Sequence, residues 1–279
     1  MNPAQSYTDD ERRHFLRYTR TAQWPMLQRF PIDDDGHLGL LAGMLASRPD
    51  TIGSMIRAMH EQTRATAARM LADDQHRSAV AALPFRAGDR IVAVGDSITA
   101  DRLGWFELLA ASVGPDAATL VNLGVSGDTT ADVLERFDTL ETAGPSHVLL
   151  MIGTNDARFH GRDRPYRMAT VAETERNLRA LTDLITRQLG ATITVITPPA
   201  VDQDRIDAYF GDAPVHWTAE AVAEVADVVR KTAPDAIDLH EATRTGQPAG
   251  FLESDGVHPT PAGHRFILRR LLHHLGSSR

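Results

Sequence analysis

Arg90-Ile91-Val92-Ala93-Val94-Gly95-Asp96-Ser97-Ile98-Thr99 is the stretch on which the fold turns. The apolar run before Gly95 reads as a short buried strand. The polar residues after the glycine then sit where that strand ends. Working outward, the same alternation recurs downstream. A helical stretch from Leu103 to Val113 leads to a strand over Ala118 to Leu123. A helix over Thr130 to Leu140 precedes a strand over His147 to Ile152. A long helix, Val171 to Leu189, leads to a strand over Thr192 to Thr197. The helix Thr218 to Thr232 precedes a fifth strand, Ala236 to Leu239, and Pro261 to Leu275 closes the chain as a helix. Strands alternating with helices predict an α/β three-layer sandwich with helices on both faces of a parallel sheet. Five such strands fit a flavodoxin-like sheet of order 2-1-3-4-5.

Upstream of Leu83-Pro84 the chain changes character. No strand-like run is visible there, and six of the eight methionines fall in it, Met1, Met26, Met44, Met55, Met59 and Met70. Ile52, Met55, Ile56, Met59, Met70 and Leu71 lie largely on one helical face. Asp50 or Thr51 is expected to cap that helix, just after Pro49. Leu38 to Leu45 forms a shorter helix candidate. The division expected is a helical N-terminal extension over 1–84 and a second unit over 85–279. The Met-rich face suits packing on that unit, a homodimer contact or a lid, and methionine does not choose among them.

Composition narrows the function. With 279 residues the chain is about twice a typical domain of roughly 150. Hydrophobic residues make up 42% and charged residues 24%, which is ordinary globular composition. Acidic residues outnumber basic ones, 37 to 29, which argues against a dedicated nucleic-acid partner. The absence of cysteine excludes disulfides, thiolate catalysis, Cys-bound zinc and iron–sulfur clusters. No apolar run is long enough for a membrane span. Met1 to Glu11 carries Asp9, Asp10 and Glu11 without an apolar segment, so no signal peptide is read and a cytoplasmic location is expected.

Ligands of open α/β sheets bind beyond the carboxyl ends of the strands. Strand one ends in Gly95-Asp96-Ser97-Ile98-Thr99, and strand two in Asn122-Leu123-Gly124-Val125-Ser126-Gly127-Asp128. Strand three ends in Gly153-Thr154-Asn155-Asp156, and Asp255-Gly256-Val257-His258-Pro259 follows strand five. One edge of the sheet thus collects a hydroxyl, glycine-turn N–H groups, a carboxamide, a carboxylate and an imidazole. That is the inventory for acyl transfer. Each residue also has a plain structural role: Ser97 or Asn155 as a cap, Gly127 as a turn glycine, Asp255 as a turn former, His258 as one of twelve histidines. Their joint occurrence at strand ends favours chemistry.

These segments resemble the conserved blocks of the SGNH hydrolases, the GDSL esterase and lipase family. Gly95-Asp96-Ser97-Ile98 is similar to the first block, with isoleucine where the family name has leucine. Asn122 to Thr130 is similar to the second, Gly153 to Asp156 to the third, and Asp255 to Pro259 to the last. The resemblance spans roughly residues 90 to 275 and leaves 1–84 outside it. It implies a serine esterase with Ser97 as nucleophile, His258 as base and Asp255 as its orienting acid. It also implies an oxyanion hole from the N–H groups of Ser97 and Gly127 and the amide of Asn155. No cofactor or metal is implied, and the partner is a small-molecule ester. Short-acyl or acetyl esters are favoured; lysophospholipids, thioesters and acyl transfer are the alternatives within the family, and a non-catalytic scaffold the remote one. Asp96 and Thr154, and Tyr209, Phe210, His216 and Trp217 after strand four, are candidates to line the substrate site.

Other readings fit less well. Neither Ser97 nor Ser126 lies in the G-x-S-x-G of an α/β-hydrolase. A receiver domain needs a lysine after strand five, whereas the single lysine, Lys231, precedes it. An FMN module needs a phosphate-cradling loop where Asp96 stands. No H-E-x-x-H zinc motif occurs, and His258 and His264 are six residues apart.

Overall fold

The computed structural model describes residues 7–114, 116–246 and 248–277. Ahead of the sheet lie α1 (Asp9–Tyr18), α2 (Pro25–Gln28), α3 (Asp34–Met44), α4 (Pro49–Leu71) and α5 (Asp74–Ala81). Local chemistry sets their starts. Thr8 and Glu11 form a reciprocal capping box on α1, and the Asp33 and Asp73 side chains accept N–H groups at the starts of α3 and α5. The cap expected from Asp50 or Thr51 is absent. Pro49 itself takes the first position of α4, and Arg48 before it makes no side-chain cap. Proline suits that position because its fixed φ is already helical and its missing N–H is one that a helix start leaves unpaired.

The rest of the chain alternates as expected. It runs β1 (Arg90–Gly95), α6 (Ser97–Ala100), α7 (Trp105–Val113), β2 (Thr119–Gly124), α8 (Thr130–Glu135), α9 (Phe137–Ala143) and β3 (His147–Met151). Then come β4 (Phe159–His160), β5 (Tyr166–Arg167), α10 (Val171–Asp183), β6 (Thr192–Ile196), α11 (Gln203–Phe210) and β7 (Val215–His216). The helices α12 (Ala219–Thr232), α13 (Leu239–Gly246) and α14 (Pro261–Ser277) complete it.

The parallel sheet has four strands, ordered β2-β1-β3-β6, and not the five expected. The segment expected as the fifth makes a single parallel bridge, Ile196 to Ile237. Asp238 ends it there: its carboxylate accepts the Glu241 N–H at 3.0 Å, and α13 starts at Leu239. A second sheet, small and antiparallel, was not anticipated; its order is β5-β4-β7. The expected single helix over Thr130 to Leu140 is two, α8 and α9, with the break at Arg136.

Alternate residues of the strands feed two cores. Ile91, Ala93, Leu149 and Met151 pack with Trp105, Phe106 and Leu109 of α7 and Leu268 and Leu271 of α14. Val92, Val94, Val148 and Leu150 pack on the other face with Phe137, Leu178, Leu181 and Val229. The Met-rich face of α4 is covered within the chain. Ile52, Met55 and Met59 join Leu16, Leu41 and Leu45 in a third cluster, and Met70 joins the core around α7.

Candidate active site

The register levels the strand ends. Gly95 of β1 lies opposite Gly124 of β2 and Met151 of β3. The polar segments that follow all three strands therefore emerge side by side. After Gly95 the chain turns into α6, which begins on Ser97. As the first helical residue, Ser97 contributes an N–H with no carbonyl partner within its helix. The short helix lies directly on the sheet end, and Gly124 allows it. A Cβ there would stand 2.5 Å from the Ala100 nitrogen and 2.8 Å from the Thr99 carbonyl carbon. Asp96 caps α6 by accepting the Ile98 N–H at 3.0 Å. Its carboxyl is buried, and burial pushes it up to about 6 against the opposing pull of the Ile98 N–H and the Thr154 hydroxyl.

The structure brings Ser97, His258 and Asp255 together. Ser97 Oγ is 2.9 Å from His258 Nε2, and His258 Nδ1 is 2.6 Å from Asp255 Oδ2. The other carboxylate oxygen, Asp255 Oδ1, accepts the N–H groups of Val257 at 2.9 Å and His258 at 3.0 Å. The turn thus fixes its own acid. Burial works against the Asp255 charge, but the His258 ring and these two N–H groups outweigh it and hold the carboxyl below its usual range. A hydroxyl meeting an imidazole that is held by a carboxylate is an arrangement able to move a proton off the hydroxyl.

Gly127 and Asn155 are linked through Asp128, in the turn between β2 and α8. Gly127 takes φ +94°, a conformation that favours glycine. Asn155 Nδ2 donates to the Asp128 carbonyl at 3.0 Å, and Arg158 Nη1 donates to Asn155 Oδ1 at 3.2 Å. Because a guanidinium only donates, Arg158 defines which end of the carboxamide is oxygen. One Nδ2 hydrogen remains for a ligand. Beneath them, buried Asp156 accepts the Thr130 N–H at 2.9 Å and the Thr130 and Thr174 hydroxyls at 2.5 and 3.1 Å. Asp128 is held by the Arg136 guanidinium at 2.6 Å, the residue at which α8 breaks from α9.

The remaining candidates take other places. Ser126 is exposed in the turn and is not the hydroxyl that meets His258. Thr154 is buried, and its carbonyl accepts the Trp217 indole N–H at 2.9 Å, so Trp217 braces the strand-three turn from the core. Phe210 and His216 line a cavity of about 530 Å³ with Ile206 and Asp207, and Ser97, Asp255 and His258 do not line it. Tyr209 is exposed and meets Phe210 edge-on. Three residues near the site went unforeseen: Arg158, Arg17 and Tyr18, whose ring centroid lies 4.8 Å from that of His258. Arg158 was within reach of a sequence reading, three positions after Asn155. The Tyr18 contact spans most of the chain and leaves no local signal. Among the described residues no group of three or more His, Asp or Glu side chains is disposed to hold a metal ion.

Comparison with known proteins places the chain in a family. The chain is 28% identical to an acetylxylan esterase of Geobacillus stearothermophilus over 216 residues, 68% of this chain and 94% of that protein. The solved lipase/acylhydrolase of Enterococcus faecalis superposes with a TM-score of 0.52 at 26% identity, covering 67% of this chain and 95% of that one. A catalytic serine-to-alanine mutant of the Geobacillus stearothermophilus acetylxylan esterase gives 0.51 at 25% identity, covering 68% and 95%. Residues 93–266 match the GDSL-like lipase/acylhydrolase family throughout. The chain therefore belongs to the GDSL-like lipase/acylhydrolase family and is a serine carboxylic ester hydrolase.

Proposed function

We propose that this enzyme hydrolyses short-chain, and foremost acetyl, esters through an acyl-serine intermediate on Ser97. The observation that carries the reading is the unbroken relay from Ser97 Oγ to His258 Nε2 at 2.9 Å and from His258 Nδ1 to Asp255 Oδ2 at 2.6 Å. His258 takes the Ser97 proton as the oxygen attacks the ester carbonyl, while Asp255 holds the Nδ1 hydrogen and stabilises the imidazolium. The negative charge that develops on the carbonyl oxygen is met by the Ser97 and Gly127 N–H groups and the free Asn155 Nδ2 hydrogen. Collapse of the tetrahedral species breaks the ester C–O bond, and His258 returns its proton to the departing alcohol. Water then repeats the sequence on the acyl-serine and releases the acid. The acetyl preference is supported by the acetylxylan esterase among the relatives, whose catalytic serine mutant shares this fold. An acetylated carbohydrate is the substrate class that this relative suggests.

The test is a chain-length series of chromogenic esters with two serine variants. Hydrolysis is expected to be fastest for acetyl and to fall steadily as the acyl chain lengthens. Ser97→Ala should abolish turnover and Ser126→Ala should leave it. An active Ser97→Ala enzyme, or a dead Ser126→Ala one, overturns the assignment. A rate that rises toward long acyl chains overturns the acetyl preference.

A further inference from the structure

We propose that α1, which precedes the family match, is part of the active site, with Arg17 and Tyr18 as positioning residues for the Ser97–His258 pair. The inference rests on the triad assignment above and extends it to a segment outside residues 93–266.

Arg17 is the joint. Its guanidinium meets both Asp101 carboxylate oxygens, at 2.9 and 2.8 Å, donates to Glu253 Oε1 at 2.7 Å and to the Pro259 carbonyl at 3.1 Å. Asp101 closes the helix that begins on Ser97. Glu253 and Pro259 bracket Asp255 and His258. One side chain therefore ties the turn of the nucleophile to the loop of the base. These are two segments about 150 residues apart, with no covalent reason to stay in register. Asp101 is fully buried; it also accepts the Leu103 N–H at 2.8 Å and meets His264 Nε2 at 2.8 Å, so the joint is anchored in α14 as well. A planar guanidinium with several donors suits this three-way bridge, and an ammonium does not.

Tyr18 acts on the imidazole directly. Its ring packs on His258, tilted at 46° with centroids 4.8 Å apart, and Tyr18 is almost fully buried. Its hydroxyl is buried without a hydrogen-bond partner. What the tyrosine offers His258 is thus a wall that fixes the plane of the ring.

The segment is itself locked onto the nucleophile side. Arg102 Nε donates to the Leu16 carbonyl at 2.9 Å and Nη2 to the Thr19 carbonyl at 3.0 Å. The Arg102 N–H donates to the Arg17 carbonyl at 2.9 Å, and Arg20 Nε donates to the Ala100 carbonyl at 2.7 Å. The free carbonyls at the end of α1 are satisfied by the stretch just after Ser97, which is how an added helix holds its place.

The experiment uses the full-length protein and three readouts: acetyl-ester kinetics, the rate at which a fluorophosphonate labels Ser97, and thermal melting. Tyr18→Ala and Arg17→Gln are expected to lower kcat and the labelling rate by about tenfold to a hundredfold with KM little changed, as misplacement of a base does. Tyr18→Phe should stay close to the wild-type enzyme, since the hydroxyl has no partner. Arg17→Lys should restore only part of what Arg17→Gln loses. Met59→Ala, in the apolar cluster behind α1, is the control: it should melt earlier yet keep kcat and labelling below its melting temperature. If Tyr18→Ala does not fold, Tyr18→Leu and the two Arg17 variants carry the same comparison. Wild-type kcat and labelling in Tyr18→Ala and Arg17→Gln overturn the inference. So does a Tyr18→Phe enzyme as impaired as Tyr18→Ala. Failure of the triad reading is a different result: turnover and labelling would then persist in Ser97→Ala.

Discussion

Asp96 sits one residue before Ser97 and is buried, although the motif it belongs to displays it as a polar site residue. Its folded carboxyl titrates at about 6, against about 3.9 in an unfolded chain. A raised acid favours the folded state in its neutral form, so the stability it allows below pH 4 is lost as pH rises through 6. The size is on the order of 3 kcal/mol. Asparagine can keep the Ile98 cap without a charge. Asp96→Asn should therefore gain melting temperature over the wild type between pH 4 and 6, with a constant difference above pH 7. A pH-independent difference would contradict the burial argument. If Asn155 takes the proposed oxyanion role, Asn155→Ala should lower kcat by about a hundredfold or more with a smaller effect on KM; a pure KM effect would make Asn155 a substrate-binding group. At this scale the sequence was readable where contacts are local. Asp255 and His258 share one turn, so their pairing at 2.6 Å follows from a three-residue spacing. Tyr18 and Arg17 reach His258 and Glu253 across the whole chain, and no spacing rule carries that far.

At the scale of elements, apolar runs leading to a glycine located β1, β2 and β3, and a β-branched run before Pro198 located β6; the central pair, β1 and β3, is buried almost throughout. The fifth strand failed for a reason of length: Ile237 pairs once before Asp238 starts a helix. The small sheet β5-β4-β7 escaped because two-residue strands have no period. What positions Ser97 is the seating of α6 on the sheet, and that depends on Gly124. Gly124→Ala puts a methyl group within 3 Å of backbone atoms of Thr99 and Ala100, which cannot rotate away. The helix must lift. The expected result is a lower melting temperature together with a loss of kcat of at least about tenfold. A Gly124→Ala enzyme of wild-type activity would mean that α6 has more room than its contacts imply. Gly127→Ala is a useful contrast, because open space surrounds it and only its φ of +94° resists a side chain.

For the whole molecule, the question is what residues before Pro84 contribute. The sequence shows apolar residues at helical spacing there, which predicts packing without saying on what. The structure answers: α4 lies along α7, and α1 on α6. Leu16, Leu41, Leu45 and Ile52 are each under 4% exposed, and full burial of such side chains contributes about 1.5–3 kcal/mol apiece as an upper range. A chain truncated to start at Pro84 gives up that cluster and also uncovers the face of α7 that Ala67 and Met70 now cover. It leaves Asp101, fully buried beneath Arg17, without its guanidinium, and a buried carboxylate that loses a charged partner is strongly destabilising. Truncation should therefore produce poor solubility or a melting temperature lower by about 10 °C or more. Any folded fraction should label with fluorophosphonate far more slowly than the full chain, because Ser97 and His258 are no longer held by a common bridge. Melting and labelling of the two proteins side by side check this. A truncated protein as stable, as soluble and as reactive as the full chain would show that the joint formed by Arg17 is dispensable and that the 93–266 unit orders its own site.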